Sequence, residues 1–197
     1  MSAALATLGK EMLPQLGIAL RRGDITSGSR FLCGAMGGHF PSQSIPLQMN
    51  NWNERACELV QRVASEAGAQ NAKRGALFIA TSSFDIGAVE QGIAQINYDT
   101  FANKVAAWLE WTGPVYVIST ACTSSLNALI AAHALLGTGE ADEAVVLGFE
   151  LDNKLTLGGF AAMQLLSSSS SKPFATHRDG MVLGEAVTCL RLSTSER

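Results

Sequence analysis

Cys122 is the residue best placed to do chemistry, because it stands between an apolar run, Pro114 to Ile118, and a helical run, Thr123 to Ala132. A sulfur at a strand-to-helix junction meets the unpaired backbone N–H groups of the first helical turn, whose partial positive charge suits a nucleophilic thiolate. The alternative is a small buried hydrophobe, the usual role of a free cysteine. Position alone leaves both readings open. No histidine offers an obvious base: His133 lies further along the same helical run, about 16 Å from the sulfur at the α-helical rise. His177, in an Arg-Asp-Gly loop, and His39, in a Gly-rich N-terminal loop, read as turn or surface residues. No metal-ligand spacing joins these histidines to Cys33, Cys57 or Cys189, so no metal site is expected.

The cysteine needs a strand, Val115 to Ser119, and a helix, Thr123 to Leu136, closed by Gly137-Thr138-Gly139. Further buried strands are expected over Gly75 to Thr81 and Ala144 to Gly148, both short continuous apolar runs. Ala56, Leu59, Val60 and Val63 give Asn53 to Ala67 a helical period. Tyr98 to Trp111 reads as a helix stopped by Gly113-Pro114. Near the N-terminus, Lys10 to Arg22 reads as an amphipathic helix broken near Pro14, followed by a Gly/Ser loop, Gly23 to Ser29. No Gly-Lys-Ser/Thr follows and no G-x-G-x-x-G occurs, so a nucleotide site is not expected. Ser167 to Ser171 reads as a solvated loop, and Met181 to Leu183 with Ala186 to Leu192 as a closing hairpin. Alternating strands and helices argue for an α/β fold with a mostly parallel sheet flanked by helices.

The string Ser119-Thr120-Ala121-Cys122-Thr123-Ser124-Ser125-Leu126 resembles the active-site segment of β-ketoacyl synthases, the condensing enzymes of fatty-acid and polyketide synthesis. Gly148-Phe149-Glu150 follows its strand as that family's Gly-x-Glu does, and Gly159-Phe160 falls at the spacing of its acyl-channel phenylalanine. Lys172-Pro173-Phe174-Ala175-Thr176-His177-Arg178-Asp179-Gly180-Met181-Val182-Leu183-Gly184-Glu185 resembles the family's Arg-Pro-Phe-Asp-x-x-Arg-Asp-Gly-Phe-Val-x-Gly-Glu-Gly. Order and spacing agree throughout. Lys172, Ala175, Met181 and Ala186 depart from the pattern. So does the N-terminus, where the family's opening strand is expected to be lost or replaced. The resemblance runs from about Leu16 onward and implies the N-terminal half of a thiolase-like fold, one domain over residues 1–197.

That resemblance implies a role for Cys122 as acyl-accepting nucleophile, its own N–H serving as one oxyanion donor. Phe160 and Met163 become the expected substrate-binding residues. The family's two histidines, its supporting lysine and carboxylate, and its other oxyanion donor all come from a second half that these residues do not match. Condensation by this chain alone is therefore not expected. No cofactor is implied, and acyl-carrier phosphopantetheine thioesters are the implied substrates. The expected role is a chain-length-factor-like partner of a full-length ketosynthase in a fatty-acid or type II polyketide synthase, polyenes included. The alternative is an independent acyltransferase using Cys122.

Composition fits a chain that needs partners. It is 47% hydrophobic and 16% charged, against about 25% charged in an average globular domain. Some of that apolar excess should face another protein, and the resemblance implies which: a ketosynthase through the strand before Cys122, alongside an acyl carrier protein that delivers substrate. A net charge of -3 offers no basic field for nucleic acid or anionic membrane, and no apolar stretch is long enough to span a bilayer. A cytoplasmic location with reduced cysteines is expected.

Overall fold

The computed structural model describes residues 2–6, 28–32, 38–45, 47, 49–95 and 97–194. Cys33 and the segment Lys10 to Arg22 lie outside them, as does Gly23 to Ser29 apart from Gly28 and Ser29. The larger sheet is built on β4 (Ala76–Ala80), a continuous apolar run buried at every position, as expected of a central strand covered on both faces. β5 (Val115–Ile118) and β6 (Glu143–Glu150) pair with it in parallel on either side. β8 (Ala186–Ser193) runs antiparallel to β6, and β1 (Ser2–Ala6) antiparallel to β8, giving the order β1-β8-β6-β4-β5. Four strands thus share one direction and β8 alone opposes them. A smaller sheet joins β2 (Gly28–Leu32), β3 (Gly38–Gln43) and β7 (Leu183–Gly184) in the order β2-β3-β7.

The two faces of β4 pack against different helices. Leu77 and Ile79 point to one side, where α1 (Trp52–Glu66) and α3 (Tyr98–Trp108) contribute Leu59, Val63, Phe101 and Val105 to the main core. Ala76, Phe78 and Ala80 point to the other, against Ala128 and Ala132 of α4 (Ser124–Gly137). Period-two alternation produces this division. The first turn of α1 is capped by Asn51, whose Oδ1 accepts from Asn53 N at 2.9 Å and Glu54 N at 3.3 Å.

Three expectations need correction. The opening strand is present, as β1 paired to β8. No closing hairpin forms, because the single residue Glu185 between β7 and β8 cannot make a turn; β7 pairs in parallel with β3 while β8 continues into the larger sheet. α3 stops at Trp108, where Glu110 takes the left-handed conformation (φ 50°) before Gly113 is reached. Trp111 instead turns inward and its Nε1 donates to Gly75 O at 3.0 Å.

Glu185 ties this strand switch to the rest of the molecule. Its side chain is 1% exposed and accepts Arg55 Nη1 at 2.8 Å on Oε1 and Arg55 Nη2 at 2.7 Å on Oε2. The same oxygens accept Asp152 N at 3.1 Å and Ile45 N at 2.9 Å. Arg55 also donates to Leu47 O at 2.6 Å and Ile45 O at 3.1 Å. Burial alone would raise the Glu185 pKa, yet the hydrogen bonds from Arg55 and Asp152 bring it down to about 2. A carboxyl held below its ordinary 4.5 stabilises the fold above that pH and ceases to do so as pH falls toward about 2. Urea midpoints should therefore drop across that window. Glu185→Ala, which strands a buried guanidinium, should cost about 3–5 kcal/mol at neutral pH; an unchanged midpoint would show that the pair contributes nothing.

A candidate nucleophile elbow

β5 ends at Ile118 and α4 begins at Ser124, and the sulfur sits in the turn between them. Ala121 holds φ 54°, a region that non-glycine residues enter only when their surroundings impose it. Thr120 N donates to Ser124 Oγ at 2.9 Å, and Ser124 Oγ donates to Ala121 O at 2.7 Å. Thr123 Oγ1 donates to Thr120 O at 2.7 Å, and Asn127 Nδ2 reaches Thr120 Oγ1 at 2.8 Å. The result presents Cys122 as an exposed thiol at the start of a helix. The other described cysteines are less suited to react: burial pushes Cys189 up to about 12, and burial together with Glu58 raises Cys57.

Gly148 on β6 makes room for this turn. A Cβ there would lie 2.5 Å from Thr188 Oγ1 and 3.3 Å from Ser125 Oγ in the first turn of α4. Two residues on, the Glu150 carboxylate accepts Ser82 N at 3.0 Å and Ser82 Oγ at 2.7 Å on Oε2, and Ser83 Oγ on Oε1. It thereby fastens the end of β6 to the loop after β4. Beyond that loop, α2 (Ile86–Glu90) ends in Glu90, which accepts Lys154 N at 2.9 Å and Leu155 N at 2.8 Å at the start of α5 (Lys154–Ala162). Ser82, Glu150, Leu151, Leu157, Phe160 and Leu183 help line a cavity of about 170 Å³ at this end of the sheet. The outer ends of parallel strands are the usual place for a ligand crevice in such sheets.

Phe160 thus lines a recess, whereas Met163, at the C-cap of α5, is 59% exposed and forms no part of its wall. His133 and His177 are exposed, and His39 lies in β3 rather than in a loop. The serine tract is also more ordered in role than a solvated loop. Ser167 is 1% exposed; its Oγ accepts Ser169 N at 3.1 Å and Ser170 N at 3.2 Å and meets Asp179 Oδ1 at 3.1 Å. Gly180, at φ 146°, lets the chain pass so close that a Cβ would sit 2.5 Å from Ser167 N. Sequence reading singled out neither Ser124 nor the Glu150 contacts with Ser82 and Ser83. The one available signal for Ser124 was the hydroxyl-rich Thr-Ser-Ser at a helix start.

An α/β layer that ends a strand on a thiol elbow fits a thiolase-like fold. Residues 54–197 match the family described as Beta-ketoacyl synthase, N-terminal domain, and the chain belongs to that family. It is 37% identical over 95 residues to the chloroplastic 3-oxoacyl-[acyl-carrier-protein] synthase II of Arabidopsis thaliana, covering 45% of this chain and 18% of that protein. To 3-oxoacyl-[acyl-carrier-protein] synthase 2 of Coxiella burnetii it is 36% identical over 85 residues, covering 40% of this chain and 20% of that protein. The fold matches a chain from the structure of a Xenorhabdus doucetiae ketosynthase in complex with its chain length factor, with TM-score 0.76 and 20% identity, covering 100% of this chain and 57% of the other. It also matches the ishigamide ketosynthase/chain length factor, with TM-score 0.73 and 18% identity, covering 98% of this chain and 57% of that one. The chain thus spans about a fifth of those curated relatives and little more than half of these solved chains.

Gly148→Ala should crowd Thr188 and Ser125 and destabilise the protein by about 1–3 kcal/mol, read from urea unfolding. Unchanged stability would mean that the β8 side chain yields without cost.

Proposed function

We propose that this chain is a ketosynthase-like subunit of a fatty-acid or type II polyketide synthase, polyenes included, and acts as a chain-length-factor-like partner of a full ketosynthase. The observation that carries this reading is the outer surface of α4 and β5. α4 is rich in apolar residues: Ala128 and Ala132 face the sheet, while Leu126 and Ile130 on the other side are each 58% exposed, next to the exposed His133. Large apolar side chains on the outward face of a helix favour a partner there. Tyr116 of β5 is 46% exposed, and β5 ends the larger sheet with no further strand beside it among the described residues. An open strand edge next to exposed apolar side chains favours association.

The exposed thiol supports a second reading, an acyltransferase in its own right. In that step the Cys122 thiolate attacks the carbonyl of a carrier phosphopantetheine thioester. The new C–S bond forms through a tetrahedral oxyanion, the old C–S bond breaks, and the departing thiolate takes up a proton. The N–H groups at the start of α4 favour the anion. General-base assistance is worth about 10²- to 10⁴-fold, so turnover by the chain alone should be slow. An acyl carrier protein is the donor in both readings, and neither requires a metal or cofactor.

Two measurements decide between them. Mixed with a full-length ketosynthase from the same organism, the chain should co-elute as a hetero-oligomer in size-exclusion chromatography. Leu126→Glu with Ile130→Glu should weaken that complex at least about tenfold, and a monomer indifferent to the ketosynthase would overturn the partner reading. Incubation with acyl-carrier thioesters should add the acyl mass to Cys122. No adduct, alone or in complex, removes the thiol from the mechanism, and product formation by a complex carrying Cys122→Ala assigns the chain a scaffold role.

A further inference from the structure

Among the polar side chains of the elbow, Ser124 is set apart by burial. It is 3% exposed, whereas Thr120, Thr123 and Ser125 around it are exposed. Its hydroxyl uses both of its capacities within the turn, accepting Thr120 N at 2.9 Å and donating to Ala121 O at 2.7 Å. Those two peptide groups bracket the pair Thr120-Ala121, whose second residue is at φ 54°. A single side chain therefore clamps both ends of the segment that holds the strained position. Thr123 cannot replace it, because its hydroxyl meets Thr120 at O and Oγ1 and Asn127 Nδ2 at 3.5 Å, and neither Thr120 N nor Ala121 O. Ser124 Oγ also lies 3.5 Å from Thr81 O, at the end of β4, which seats the clamp against the sheet.

We propose that Ser124 is a positioning residue: it holds Ala121 in the left-handed conformation and so fixes where the Cys122 sulfur stands at the head of α4. The proposal rests on the reading of Cys122 as the reacting group. Without the hydroxyl, Thr120 N loses its acceptor and Ala121 O keeps only the Ser124 backbone N–H, at 3.1 Å, so Ala121 can relax toward the negative φ that a Cβ prefers. The relaxation rotates the next residue, Cys122, away from its place.

A thiol-alkylation assay with iodoacetamide, with modification assigned to Cys122 by peptide mass spectrometry, tests this without any acyl donor. Ser124→Ala should slow alkylation about tenfold, a loss of the size expected when a left-handed residue is released. Ala121→Gly alone should leave the rate within about twofold, because glycine takes positive φ without strain. The double variant Ala121→Gly, Ser124→Ala should return to within about threefold of the parent, a rescue that a general packing role for Ser124 would not give. An unchanged rate in Ser124→Ala with the parent's melting temperature overturns the proposal, as does a slow rate that Ala121→Gly fails to rescue. If Ser124→Ala does not fold, the double variant decides: folding with the parent's rate sustains the proposal, and slow reaction or failure to fold overturns it. Because iodoacetamide needs no thioester, a Cys122 that alkylates as expected but never accepts an acyl group would count against the functional reading and leave the role of Ser124 intact.

Discussion

One buried ion pair organises the molecule. Arg55 and Glu185 are 130 residues apart in sequence, yet their bidentate contact draws together the start of α1, the residues Ile45 and Leu47, Asp152 just past β6 and the junction of β7 with β8. Ile45, Leu47 and Asp152 each offer the pair a backbone group that would otherwise need another partner. Taking two charges out of water is expensive, and such a pair rarely adds much net stability over an apolar replacement. What it does here is directional. The pair's bonds reach all four segments at once, and the chain there passes from one sheet to the other without a turn at Glu185.

The pair fixes the frame, and packing on the larger sheet then places α4. On one face of the larger sheet an aromatic chain fills the space, with Trp52, Phe149, Phe101 and Phe84 in contact at centroid separations of 5.7 to 5.8 Å. On the other, Phe78 and Val146 pack with alanines from β4, β6 and α4. There Gly148 faces Ser125, and the Ser124 hydroxyl comes within reach of the end of β4. The elbow is thus a product of sheet packing as much as of its own residues. Its chemistry belongs to the helix end, while its precision belongs to the packing beneath.

Much of this was legible in the amino-acid sequence, and the reasons are physical. β4, β5, β6 and α4 are coded by local pattern, an apolar run or a helical period, so the cysteine's place between β5 and α4 could be read directly. Local pattern also found α3 but misplaced its end, because Glu110 rather than a glycine adopts the left-handed turn. β7 and β8 looked like a hairpin because two extended runs lie side by side in sequence; their separation depends on pairing with β3 and β6, which is information from far along the chain. Ser167 looked like one serine among five, and only the return of Asp179 and Gly180 makes it a buried anchor. The contacts of Arg55, Glu185 and Glu150 are likewise long-range and carry no local mark.

The walls of the recess beside Phe160 are cross-braced by two carboxylates. Glu150 fastens the loop before α2 to β6, and Glu90 at the far end of α2 fastens α5, which carries Phe160. Charge-assisted bonds of this kind are short and resist stretching more than apolar contacts do. The elements around the recess are therefore latched to one another by charge-assisted hydrogen bonds, and widening it would stretch those bonds as well as part apolar side chains.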